Sequence, residues 1–261
     1  MSAVRTLEPY RDDRGNEIIY EGEPRREHVS VRFAGDNNRL YVAENAKIVS
    51  LSVDFAGDGG QVEILPTSRP RTGLRLSLRI GHSSKIHIGE NVGTTNRAFI
   101  SAVEGAEVRI GYDCMIATGV EIRTDDAHPI YGVRTGKRIN PSESIEIRDH
   151  VWIAKNAVIM GGVTIGTGSV VGFGSIVTRN VPNNSIAAGA PARVVKRHIA
   201  WERPVLRTRR PGQVVPAANE KNAEYWNLTE ETTPDVVPVE RQLRRGFAQW
   251  FTPRRQQRSK R

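Results

Sequence analysis

Residues 147 to 181 read IRDHVWIAKNAVIMGGVTIGTGSVVGFGSIVTRNV, and one spacing runs through them without a break. Ile147, Ile153, Ile159, Ile165, Val171 and Val177 recur every sixth residue, and four residues after each come Val151, Ala157, Val163, Ser169, Ser175 and Val181. The small residue of one hexad and the large aliphatic of the next flank a single position, which is the period-2 alternation of a short strand. Gly161, Gly162, Gly166, Gly168, Gly172 and Gly174 fall between these strands, where a chain must turn and positive φ is cheap for glycine. Three such flat faces make a coil of about 18 residues, and stacked coils form a parallel β-helix with one large and one small residue pointing inward per hexad.

Outward from this stretch the register continues. Ile110-Gly111, Ile116-Ala117 and Ile122 repeat it upstream, with Cys114 and Val120 at the small inner position, so Cys114 is expected in the core and not as a nucleophile. Farther upstream the pattern loosens into alternations at Leu74 to Ile80 and Ile86 to Ile88. Val29, Val31, Phe33, Val42, Ile48, Val62 and Ile64 suggest irregular coils, and Asp36-Asn37-Asn38 and Gly57-Asp58-Gly59-Gly60 are turn signals. Residues 1 to about 28 are polar and carry no periodic signal. The expected organisation is an N-terminal irregular or β segment over 1–38, a β-helix over 39–197, and a C-terminal capping segment with a basic tail, partly helical, over 198–261. Between Thr124 and Ser144 the hexads lapse for a loop, and long ordered loops on rigid scaffolds are often functional.

Composition agrees. The 261 residues hold 24 glycines and only 6% aromatics, so the core is built from β-branched side chains, and helical bundles are disfavoured. A single cysteine excludes a disulfide framework and a cysteine zinc site and points to a reducing compartment. No apolar run reaches the roughly 18 to 20 residues of a membrane span, and the N-terminus lacks a signal-peptide core. The formal charge of +9 is local: from Glu240 to Arg261 eight basic residues face one acid, leaving +2 on the other 239 residues. Nucleic acid is not expected, because a groove tracking phosphates needs the charge on the fold itself.

The stretch from Ile147 to Lys196, together with Asp125-Asp126-Ala127-His128-Pro129, resembles the left-handed β-helix hexapeptide acyltransferases. Among them it is most similar to sugar and polysaccharide O-acetyltransferases, those of polysialic acid, galactosides and maltose. The left hand of the helix comes from that resemblance. It also implies acetyl-CoA as cosubstrate, no metal, and a glycan acceptor such as capsular polysaccharide or O-antigen. It further implies a homotrimer with each active site in a groove between two subunits; the expected location, from the single cysteine and the absent signal-peptide core, is cytoplasmic. His128 occupies the position of the family's general base. A neutral imidazole is the side chain best matched to take the proton of a sugar hydroxyl near neutral pH. Asp125 or Asp126 could fix the imidazole, and a loop-capping role is open to either. Trp152, outward between Val151 and Ile153, matches a tryptophan lining the acceptor and thioester site. Contacts to acetyl-CoA would fall on Lys155, Phe173, Thr178, Arg179, Arg193 and Lys196, with Arg193 and Lys196 facing phosphates. Phe173 departs from the small residue common among relatives.

Eighteen residues apart on the outside, Trp152 is expected to stack with Val170, Val158 with Ile176, and Thr164 with Pro182. Two apolar exteriors would then be available for assembly. His150, in a repeat corner, is expected to be solvated. Two rival readings stand. His82-x4-His87 resembles a γ-class carbonic anhydrase zinc motif, although the third histidine has no candidate between His28 and His82, and the Ile86/Ile88 alternation aims His87 outward. Val239, Leu243, Phe247, Trp250 and Phe251 lie at helical spacing among arginines. A noncatalytic module touching anionic lipid through 239–261, at the inner face of the membrane, would use that pattern.

Overall fold

The computed structural model describes residues 3–69 and 72–203; the basic stretch over 239–261 lies outside the described residues. Among the described residues there are 21 strands and no helix. They form three parallel sheets, the faces of a prism. The first face runs from Glu17–Tyr20 through Arg39–Val42, Gln61–Ile64, Lys85–Ile88, Glu107–Ile110 and Ile145–Ile147 to Thr164–Ile165. The second holds Gly93–Thr94, Met115–Ile116, Trp152–Ile153, Val170–Val171 and Ile186–Gly189. The third runs from Val29–Phe33 through Ile48–Phe55, Leu74–Ile80, Ala98–Ala102, Glu121–Arg123 and Val158–Ile159 to Ile176–Val177.

The hexads fold as the spacing predicts. Ile147, Ile153, Ile159, Ile165, Val171 and Val177 are each at most 1% exposed, and Cys114 is fully buried. Each such aliphatic removed from water contributes about 1.5 to 3 kcal/mol. Ser169 and Ser175 reach the same interior because their hydroxyls are satisfied: Ser169 Oγ donates to the Pro182 carbonyl at 2.7 Å, and Ser175 Oγ accepts from Gly189 N at 3.2 Å.

Coil length explains where the periodicity fades. Trp152 pairs with Val170 and Val158 with Ile176, an 18-residue step. Upstream most steps are 22 residues, as in Tyr41 with Glu63, Ser30 with Ser52 and Phe99 with Ser77, and they lengthen to 24 from Glu63 to His87 and 25 from Leu51 to Leu76; the strands there are longer. Strands also occupy the polar N-terminal stretch. Glu17–Tyr20 and Val29–Phe33 already pair in parallel with their neighbours, Leu7 is fully buried, and Tyr10, Phe33 and Phe55 stack at 5.9 and 5.1 Å. The last step shortens to 16 residues, so Ile165 bridges Val181 and the Thr164 amide donates to Asn180 Oδ1. The expected stacking of Thr164 on Pro182 is therefore not formed.

Corners fall in three rows of positive φ, between 48° and 77°. They are Gly15, Asn37, Gly59, Ser83, Gly105 and Gly162 between third and first faces; Asn91, Asp113, His150, Gly168 and Asn184 between first and second; and Gly119, Asn156 and Gly174 between second and third. Asn, Asp and His are the non-glycine residues that enter this region most readily. Of the six glycines assigned to corners from sequence, Gly162, Gly168 and Gly174 have positive φ, whereas Gly161, Gly166 and Gly172 do not. Those three answer to space: a Cβ on Gly172 would stand 2.9 Å from Ala188 Cβ, and on Gly166 it would collide with the Asn183 backbone.

At the C-terminal end, Ala192–Lys196 folds back antiparallel on Ile186–Gly189 and covers the edge of the second face, which would otherwise present unpaired backbone groups. Residues 199–203 then return along the corner between first and second faces. Ile199 N donates to Asn184 O, Trp201 Nε1 donates to His150 O, and Arg203 reaches Asp113 and Asn91.

Candidate active site

The loop that carries His128 leaves the third face after Arg123 and rejoins the first face at Ile145, so it projects from the corner opposite the second face. Its first turn is set by a buried carboxylate. Asp125 Oδ2 accepts from Ser101 Oγ at 2.6 Å and Oδ1 accepts from Ala127 N at 2.9 Å, with the guanidinium groups of Arg79 and Arg123 at 3.9 and 3.8 Å. Ala127 then takes φ 66°, His128 N donates to the Asp126 carbonyl at 2.8 Å, and the His128 side chain is exposed. Asp126 Oδ2 accepts from Asn140 Nδ2 at 3.0 Å. The contacts of both carboxylates are thus with the loop and its base, the capping arrangement left open from sequence.

Beyond His128 the loop is a hairpin. Tyr131 bridges Arg138, Gly132 N donates to Lys137 O, and Ile139 N donates to Ile130 O. It is moored to the preceding coil through Glu104, which takes a bidentate contact from Arg138 and accepts from Ser142 N and Oγ at 3.1 and 2.9 Å. These donors hold the Glu104 carboxyl at a pKa of about 2, with the Arg138 hydrogen bonds the largest cause.

Trp152 lies on the second face, paired between Met115 and Val170, and is 36% exposed. Trp201 leans on it with ring centroids 5.9 Å apart. The expectation for His150 is corrected. It is 2% exposed, its Nδ1 lies 2.8 Å from Asp113 Oδ2, and its Nε2 lies 3.0 Å from the Trp201 carbonyl, because residues 199–203 cover the corner.

The expected acetyl-CoA contacts fall in three regions of the prism. Lys155 and Phe173 meet at the corner between second and third faces, with Lys155 Nζ 5.9 Å from the ring centre, and Phe173 is 68% exposed. Thr178 and Arg179 follow Val177 on the corner row from which the His128 loop springs. Arg193 and Lys196 are exposed on the C-terminal edge strand. Within one chain the His128 corner and the Trp152 face are opposite sides of the prism, so one chain does not close a pocket around both.

Other candidates resolve differently. His87 does point out of its strand but is only 8% exposed, its Nδ1 2.7 Å from Glu63 Oε2 on the adjacent rung. His82 lies 3.9 Å from Asp58, so the two histidines engage separate carboxylates. Burial pushes the Cys114 thiol up to about 12, and its Sγ donates to the Arg148 carbonyl at 3.0 Å, which leaves it unsuited to nucleophilic chemistry. A groove of about 680 Å³ lined by Arg25, Glu44, Lys47 and Thr67 lies among the N-terminal coils, where the second face has no strand, and not beside His128. Sequence reasoning missed Glu104, Arg138, Asn140 and Trp201. Asn140-Pro141 was readable as a turn, whereas Trp201 carries no periodic mark.

A stacked parallel β-helix built from hexad coils is the architecture of the hexapeptide-repeat acyltransferases. The family model "Bacterial transferase hexapeptide (six repeats)" matches residues 144–179. A polysialic acid O-acetyltransferase of Neisseria meningitidis is 36% identical over 170 residues, which cover 65% of this chain and 77% of the relative. A polysialic acid O-acetyltransferase of Escherichia coli O1:K1 is 40% identical over 120 residues, 46% of this chain but only 39% of the length of that relative. The crystal structure of the polySia-specific acetyltransferase NeuO superposes with a TM-score of 0.65 at 34% identity, covering 73% of this chain and 86% of that one. The chain belongs to the left-handed β-helix, hexapeptide-repeat family of bacterial transferases.

Proposed function

We propose that this protein transfers an acetyl group from acetyl-CoA to a hydroxyl of a saccharide, with His128 as general base. The observation that carries the reading is the exposed imidazole on a turn fixed by Asp125, presented at a corner of a rigid family scaffold. In the reaction the His128 imidazole takes the acceptor hydroxyl proton as the oxygen attacks the thioester carbonyl. The tetrahedral intermediate expels the CoA thiolate, which takes the proton back from the imidazolium, so the base is regenerated. The relatives' names direct the acceptor toward polysialic acid or a related capsular or O-antigen glycan.

Complementary parts on opposite sides of one chain fit a homotrimer in which the His128 loop of one subunit faces the Trp152 side of the next. Apolar exteriors at Trp152 and at Ile176, 36% and 40% exposed, suit that packing. Lys155, Phe173, Thr178, Arg179, Arg193 and Lys196 would receive the donor. All but Phe173 and Thr178 are cationic, and Arg193 and Lys196 stand exposed on one strand as phosphates require. The reading includes a cytoplasmic location, with contact of 239–261 to the inner membrane face.

The test is thiol release from acetyl-CoA across a panel of oligosialic acid, O-antigen oligosaccharides, galactosides and maltosides, with mass spectrometry locating the acetyl group. Light scattering should give about three times the 29.0 kDa chain mass. No thiol release with any glycan, or a monomer that is fully active, contradicts the reading.

A further inference from the structure

Asn140 ends the hairpin of the excursion loop and is half-buried, while His128, Ile130 and Arg138 around it are exposed. Its amide is used on every side. Nδ2 donates to Asp126 Oδ2 at 3.0 Å and to the His128 carbonyl at 2.9 Å; Oδ1 accepts from Ile130 N at 2.7 Å and is approached by Arg138 Nε at 3.4 Å. A primary amide offers two donors and two acceptor lone pairs, and here all four find groups in the loop. Three of these partners are residue 128 itself and the residues two before and two after it. One side chain therefore holds the main chain from His128 to Ile130 and, before it, the Asp126 carboxylate, without touching the ring. The anchor is tied to the body, since Arg138 donates to the Asn140 carbonyl at 3.0 Å and grips Glu104 on the preceding coil.

We infer that Asn140 is a positioning residue for the His128 base: it sets the backbone from which the imidazole is presented and, through Arg138 and Glu104, references that backbone to the rigid coils. The inference rests on the assignment of His128 proposed above. An aspartate at 140 would keep the acceptor for Ile130 N but lose both donors and set a second carboxylate against Asp126, so it fails for an electrostatic reason and not for size. Reversing the pair, Asp126→Asn together with Asn140→Asp, restores a donor and an acceptor in exchanged places.

The experiment uses the full chain, acetyl-CoA as donor and oligosialic acid, galactosides and maltosides as acceptors, with thiol release followed under saturating and limiting donor. A misplacement of about 1 Å at the reacting group costs on the order of 100-fold. Asn140→Ala is therefore expected to lower kcat by about that factor with the KM for acetyl-CoA nearly unchanged. Asn140→Asp should fall at least as far, and the reversed pair should recover about tenfold over Asn140→Asp alone. A kcat for Asn140→Ala within about twofold of the parent, in a protein that His128→Ala inactivates, overturns the inference and leaves the base assignment standing. A reversed pair no better than Asn140→Asp overturns it equally. Full activity in His128→Ala removes the base assignment itself.

Discussion

Trp201 stacks on His150 with ring centroids 4.1 Å apart and planes within 6°. The two residues are joined twice through main-chain carbonyls: Trp201 Nε1 donates to His150 O at 2.9 Å, and His150 Nε2 meets Trp201 O at 3.0 Å. His150 occupies one of the positive-φ corner positions that line up with Asn91, Asp113 and Asn184, and residues 199–203 run down that row. The returning segment thus links successive coils that otherwise touch only their neighbours. Because Trp201 is 8% exposed and also supports Trp152, Trp201→Ala is expected to destabilise the fold by about 3 to 5 kcal/mol, the range for a buried large aromatic. Urea denaturation checks this, and a loss below about 1 kcal/mol would show the strap to be peripheral.

Asp113 is the electrostatic centre of the same corner. It is fully buried, with Arg203 Nε at 2.8 Å from Oδ1 and His150 Nδ1 at 2.8 Å from Oδ2, and Arg203 also donates to the carbonyls of Asn91, Asp113 and Cys114. Removing one side of a buried pair leaves the other charge uncompensated, at about 3 to 5 kcal/mol. Asp113→Ala should reach that range, whereas Arg203→Ala should cost less, because Asp113 keeps His150 and Arg69. Thermal melts of the two variants test the order.

The turn before His128 makes a backbone prediction. Ala127 holds φ 66°, a region that costs an L-residue roughly 1 to 2 kcal/mol and a β-branched one more. Ala127→Gly should leave transfer within about twofold of the parent, and Ala127→Val should lower kcat by about tenfold or more through displacement of His128. Equal rates in the two variants would mean that the turn does not set the imidazole.

Glu104 gives the loop anchor a pH dependence. Its folded pKa, about 2, lies below the usual carboxylate value, so the anchor's contribution is fully present above about pH 4.5 and is lost as pH falls through 2. The Glu104 side chain is 42% exposed, so solvent screens the pair and the effect on global stability is small. It is better seen locally. Carboxyl NMR should show Glu104 still ionised at pH 3.5, and Arg138→Met should return its midpoint toward 4.5.

What could be read in the sequence follows coil length. From Ile147 to Val177 every coil has 18 residues and every inward position is filled by rule, so fold and inward set were legible, as was the outward Trp152. Upstream, coils of 22 to 25 residues carry longer strands. Their signal sits in the corners, where Gly15, Asn37 and Gly59 repeat every 22 residues, and Asn16 Oδ1 accepts from Asn38 as Asn38 Oδ1 accepts from Gly60. His150 was misjudged because its cover comes from Trp201, 51 residues later in the chain, and contacts at that distance leave no local period. Asp125 was legible as a residue of the loop, but its burial under Ser101 depends on the coil stacking that brings position 101 beside it.

The most direct test of the account is the rate of acetyl transfer by His128→Ala in the full chain. General base catalysis by a positioned imidazole contributes about 10² to 10⁴ in rate. The expected result is a kcat lowered by at least about 100-fold, with melting temperature and oligomeric mass unchanged. A His128→Ala protein that transfers acetyl to the same acceptor at the parent rate would contradict it.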